Sequence, residues 1–199
     1  MKKIVILGII VIFFSGCQFF LPETAVNGDG SIARTASISD SVHKEGNERF
    51  YWLPPVAAGT ALTGVFDPSL NPVVEICEWT GNACVLPAVG QFTMISGTGG
   101  ETVKLSLADE YYLVNWHTKY FALDDQKTYR IRVLLSGTEI GHADVDVVNT
   151  GRDLKKVDTN KYIPLKNGRT LPIKFRIEEG AVSENVWGTF AWGAAVWGP

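Results

Sequence analysis

The chain has 199 residues, with 18 basic against 21 acidic side chains and a formal charge of −3. A mildly acidic chain lacks the basic stripe that nucleic acid demands, so that partner class is set aside. Its hydrophobic share of 46% is ordinary for a globular protein, enough for a core that needs neither metal nor cofactor to hold it together.

The first element is a signal. Lys2 and Lys3 give a positive start, Ile4 to Phe14 run without a polar side chain, and Ser15 and Gly16 precede Cys17. A positive start, a short apolar run and small residues at a processing site are the parts of a secretory signal. The run Phe14-Ser15-Gly16-Cys17 resembles the lipobox of bacterial lipoproteins, although that family usually has Leu where Phe14 stands. The resemblance implies a signal peptide over 1–16, cleavage before Cys17 and lipidation of its thiol. The membrane would then be the first partner, held through acyl chains at about 0.8 kcal/mol per buried CH₂. Gln18 after Cys17 implies, by the same resemblance, the outer membrane or cell surface rather than the inner membrane. The competing expectation is an uncleaved anchor over 4–21, close to the roughly 20 residues a spanning helix needs but interrupted at Gly16 and Gln18. Both readings leave the lysines inside and the rest of the chain outside.

Residues 17–48 read as the acylated Cys and a flexible tether, rich in Gly, Ser, Ala and Asp and without a sustained apolar period. Residues 49–180 read as an all-β domain, an antiparallel sandwich of immunoglobulin-like or fibronectin type III-like kind. Its legible strands carry Val73, Ile76 and Trp79; Val103, Leu105 and Leu107; Tyr112, Val114 and Trp116. Later ones carry Tyr129, Ile131, Val133 and Leu135; Ala143, Val145 and Val147; Leu171, Ile173, Phe175 and Ile177. Apolar residues at every second position bury one face of each sheet and wet the other. Asn167-Gly168 predicts a type I′ hairpin between 162–165 and 170–177. Pro164 and Pro172 would make that hairpin a sheet edge.

Cys77 and Cys84 bracket a turn with Gly81 and Asn82. A loop over 79–82 would set the two cysteines opposite each other, within disulfide reach. Export supplies the oxidising compartment such a bridge needs. Asp144 and Asp146 share a face and are weak candidates for a metal. The favoured reading is a charge ladder, with Arg132 opposite Asp144 and Arg130 opposite Asp146 across a loop at 137–139. Tyr129 after Asp124-Asp125 resembles the corner in immunoglobulin and fibronectin type III domains where a Tyr hydroxyl ties a loop to a strand. Ser96 to Gly100 lacks the Lys-Ser/Thr of a phosphate loop and reads as an inter-strand loop. His43, His117 and His142 show no metal-ligand spacing, and no nucleophile motif is present.

The segments Val74 to Cys77, Tyr111 to His117, Gly141 to Val148 and above all Asn167 to Glu178 (NGRTLPIKFRIE) resemble a recurring module of exported bacterial proteins. That resemblance implies no activity, ligand or catalytic residue. The tail at 181–199 repeats a Trp-Gly pair at Trp187, Trp192 and Trp197, every five residues. Three exposed Trp side chains either dock on the domain or anchor a protein or polysaccharide partner. The expectation for the whole is a lipid-anchored envelope protein presenting a non-catalytic module. The alternatives are an exported hydrolase or enzyme accessory built around His117 and His142, and a cell-wall or polysaccharide binder using the tail.

Overall fold

The structure is a computed structural model that describes residues 38–43, 46–58, 62–159 and 161–182. It is all-β, with two sheets arranged as in a β-sandwich. The first holds β1 (Ile38–Ser39), β8 (Thr138–Val148), β7 (Thr128–Leu135), β3 (Val73–Trp79) and β4 (Cys84–Phe92) in that order, with β9 (Ile163–Lys166) also on β8. The second runs β2 (Phe50–Leu53), β10 (Thr170–Ile177), β6 (Tyr111–His117) and β5 (Lys104–Ser106). Every pairing is antiparallel except β8 with β9.

The period-two pattern does what it predicts. Tyr129, Ile131 and Val133 of β7, Val145 and Val147 of β8, and Leu171, Ile173, Phe175 and Ile177 of β10 all turn into one core. Aromatic rings fill its centre. Phe50 and Trp52 meet edge to face at 4.9 Å, and Tyr112 stacks on Phe175 at 5.6 Å, arrangements that add to simple area burial. Trp52 also donates its indole N–H to Ser39 O at 3.2 Å and His142 O at 3.1 Å. That contact ties β1 and β8 of one sheet to β2 of the other.

Several expectations change. Folding starts ahead of residue 49: Ile38 and Ser39 pair with Ala143 and His142. Just after them, Asp40, 2% exposed, accepts from the backbone N–H groups of Val42, His43 and Trp52. At the other end Ala181 is buried in the core, not part of a separate tail. The predicted hairpin at Asn167-Gly168 does not form, because β9 and β10 belong to different sheets. Only Gly168 has positive φ there, so the turn is not the type I′ that twists two strands together. Pro164 does sit on an edge strand. Pro172 lies in central β10, paired with Asn115 of β6 but beyond the reach of β2, which pairs only from Lys174 onward, so on its β2 side no ladder bond is missing. Leu107 falls outside β5 and is 67% exposed, and the strand opened by Cys84 runs on to Phe92 as β4.

The β7–β8 register also differs. Ser136 and Gly137 both have positive φ, 50° and 83°, which makes a two-residue type I′ loop. Ile140 becomes the extra residue of a bulge between Val133–Gly141 and Leu134–Glu139. The pairing is therefore Ile131 with Ala143 and Arg130 with Asp144. A slip of two residues from the expected register keeps every side chain on its own face.

Candidate functional site

Cys17, Trp187, Trp192 and Trp197 lie outside the described residues. Cys77 and Cys84 form a disulfide, with Cα atoms 5.5 Å apart. Its geometry is diagonal: Cys84 faces Trp79, and residues 86–89 bow out of β4 opposite Cys77. The turn runs over 80–83, closed by Thr80 N–H donating to Ala83 O at 3.1 Å, one residue later than expected. Closing so short a loop is worth about 2.5 kcal/mol in the chain-entropy model. Reduction, or a Cys77→Ser/Cys84→Ser pair, should lower the urea midpoint by a corresponding amount and leave the far-ultraviolet spectrum intact.

The outer face of the first sheet is a charge network. Arg130 grips Asp144 with two hydrogen bonds, Nε to Oδ1 at 2.6 Å and Nη2 to Oδ2 at 2.9 Å. Its guanidinium lies 3.3 Å over the Trp79 ring. Arg132 reaches the other way, to Glu75 at 2.6 and 3.0 Å, and Gln91 donates to the same carboxylate. The ladder thus keeps its arginines but changes its rungs, with Asp146 opposite Thr128. Among the described residues no three His, Cys, Asp or Glu side chains are placed to hold a metal ion, and both oxygens of Asp144 are taken by Arg130.

Two carboxyls on this face titrate in opposite senses. Burial alone pushes the Asp146 carboxyl up, so its charged form is penalised in the fold and stability rises as pH falls through that raised value. Asp146→Asn should raise the melting temperature at pH 7 and lose that advantage below the ordinary carboxylate range. Burial also acts upward on Glu139, but the hydrogen bond and charge of His142, with the charges of Arg130 and Arg132, hold it below its usual range. Its contribution is present above the ordinary carboxylate value and is lost as pH falls through the lowered one.

The second sheet carries a different cluster. His117 ends β6 opposite Thr170, the first residue of β10. Its Nδ1 lies 2.6 Å from Thr170 Oγ1 and its Nε2 3.1 Å from Glu101 Oε1. The tautomer that satisfies both contacts carries its proton on Nε2, donates to Glu101 and accepts the Thr170 hydroxyl at Nδ1. Lys104 lies 3.6 Å from the other Glu101 oxygen. Tyr120, 61% exposed, meets the His117 ring edge-on at 5.8 Å. Thr118 fixes this end of β6 by donating its N–H and hydroxyl to Arg169 O, at 3.0 and 2.7 Å.

Carboxylate, imidazole and hydroxyl in line can polarise the hydroxyl or present it to a ligand. His142 instead bonds Glu139 at 2.7 Å on the other sheet, so the two histidines expected to share a site do not converge. Glu101 and Thr170 carry no mark of this cluster in the sequence because they reach His117 only across remote parts of the chain, whereas Tyr120 comes from the turn just after β6. No protein-family model matches the chain, and it matches no curated protein and no solved structure.

Proposed function

We propose that the chain is an exported protein, lipid-anchored at Cys17 after loss of residues 1–16, whose immunoglobulin-like sandwich is a non-catalytic binding or structural module of the cell envelope. The observation that carries this reading is the Cys77–Cys84 disulfide, a bond that persists in oxidising compartments and is rare in a reducing cytosol. The signal-like start supports it from the sequence. The immunoglobulin-like assignment is supported by Tyr129, whose hydroxyl accepts the Asp124 N–H at 2.7 Å and so pins the loop to β7 as a tyrosine corner does.

The test is the intact mass of protein extracted from its native membrane, with and without reduction. Cleavage before Cys17 plus acyl chains, and a gain of two hydrogens on reduction, is the expected result. A full-length unacylated mass would replace lipidation with an anchor over 4–21. An unchanged mass on reduction would remove the argument for an oxidising compartment.

A hydrolase is the second reading, favoured by the Glu101–His117–Thr170 line. Ester hydrolysis that disappears in both Thr170→Val and His117→Ala would establish it. Hydrolysis unaffected by either substitution would end it.

A further inference from the structure

The turn at 166–169 carries the chain from β9 in one sheet to β10 in the other. Its flanks are pinned: Asn167 N–H donates to Val148 O at 2.8 Å and Arg169 N–H to Lys166 O at 3.1 Å. Between them, Gly168 N–H makes its one hydrogen bond among the described residues to Asn167 Oδ1, at 2.9 Å. The Asn167 side chain is therefore folded back over its own C-terminal peptide bond. Asn167 Nδ2 reaches on to Asn149 Oδ1 at 3.3 Å. Gly168 is exposed, has φ +82°, and has nothing within 4 Å of the position a Cβ would occupy. The side of the turn where a side chain would shield the peptide is open to water.

We infer that Asn167 is a site of spontaneous covalent modification, a succinimide-forming deamidation that needs only water. The Gly168 nitrogen attacks Asn167 Cγ, a new N–Cγ bond closes a five-membered imide, and Nδ2 leaves as ammonia with the proton that Gly168 gives up. Water then opens the ring at either carbonyl, leaving aspartate or isoaspartate. No oxidant or reductant enters. Holding the attacking and attacked groups together within one turn supplies the proximity that the step requires.

The product differs where it matters to the fold. A carboxylate replaces the Nδ2 donor beside Asn149, which itself donates to Asp125 Oδ2 at 2.6 Å, so a second negative charge joins that chain of contacts. The isoaspartyl form also adds a methylene to the backbone of the link between the sheets. That link leads directly to Thr170, the hydroxyl bound to His117.

The experiment incubates the full chain at mildly alkaline pH, folded in buffer and unfolded in urea, and follows the mass of the peptide containing Asn167. Mapping separates that peptide from Asn27-Gly28, the other Asn-Gly pair. The expected result is amide-to-acid conversion at Asn167 in the folded protein at a rate comparable to that in urea, slowing at acid pH and absent from Asn167→Gln. A folded-state rate roughly 100-fold below the urea rate, the penalty of groups held about 1 Å out of place, would overturn the inference. So would the same mass gain persisting in Asn167→Gln.

Discussion

Arg176→Ala should destabilise the domain by about 3–5 kcal/mol, the cost of leaving a buried charge without its partner. Arg176 projects from the solvent side of β10, yet its side chain is only 4% exposed. Segment 62–66 and Glu110 cover it. Its Nη1 bonds Glu110 Oε2 at 2.6 Å, Nη2 bonds Gly64 O at 3.0 Å, and Nε lies 3.4 Å from Glu178 Oε1. Glu178 is fully buried, accepts from Gly64 N–H at 2.9 Å, and keeps Oε2 without a hydrogen bond. Removing the guanidinium would leave that carboxylate only the Gly64 N–H and the half-exposed Arg49, whose Nη1 lies 4.0 Å from Oε2. A typical domain has about 5–15 kcal/mol to lose, so the single variant sits near the limit of folding. Arg176→Met combined with Glu178→Leu keeps volume without charge and should recover much of the loss. The check is urea denaturation of all three proteins. An Arg176→Ala midpoint within about 1 kcal/mol of the parent would show that the network behaves as an exposed ion pair.

Trp52→Ala should cost a similar amount, about 3–5 kcal/mol, for the transfer of a large ring plus the cavity left behind. The ring is fully buried between Phe50 and Phe175, so few neighbours can close the hole. Trp52→Phe separates packing from polarity. It keeps most of the ring but withdraws the donor from Ser39 O and His142 O, a loss of about 1–3 kcal/mol for buried groups left unpaired. Amide hydrogen exchange at Ile38 and Ser39 should then quicken more than at Ile131 or Val133, since β1 has only two paired residues to hold it. Equal acceleration across both strands would mean that the indole N–H plays no special part in fastening β1.

The sequence shows most clearly what depends on near neighbours along the chain. Alternation in Tyr129 to Leu135 and Leu171 to Ile177 announces both the strands and their buried faces, because side-chain direction in a strand is a local property. Cys77 and Cys84 are close enough in the chain for their pairing to be read off. The errors come from choices between equally local options. Ser136-Gly137 and a loop at 137–139 both close the β7–β8 hairpin with the same faces buried, and only the positive φ at Ser136 decides between them. Asn167-Gly168 suits a hairpin as well as a crossover, and the outcome rests on Val145 to Val148 of β8 receiving β9. The His117 cluster was hidden for a stronger reason. Glu101, His117 and Thr170 come from three separate parts of the chain, and nothing local to any one of them marks the other two. Arg176 reads as a wetted charge until segment 62–66 is seen lying over it.

The placement of β10 bears on when the domain can come into being. Among the described residues it is the last strand in chain order, yet it lies between β2 and β6 and pairs Phe50 with Ile177 and Trp52 with Phe175. Until residue 177 has been synthesised and released, β2 has no strand to pair with and the aromatic centre lacks Phe175. Contacts between distant parts of a chain carry a loop-closure cost before they return any stability, which slows their formation. A nascent chain ending short of β10 therefore has no complete second sheet to collapse around. The same topology that makes the finished domain cohesive postpones closure of the second sheet until the chain has been made through Ile177.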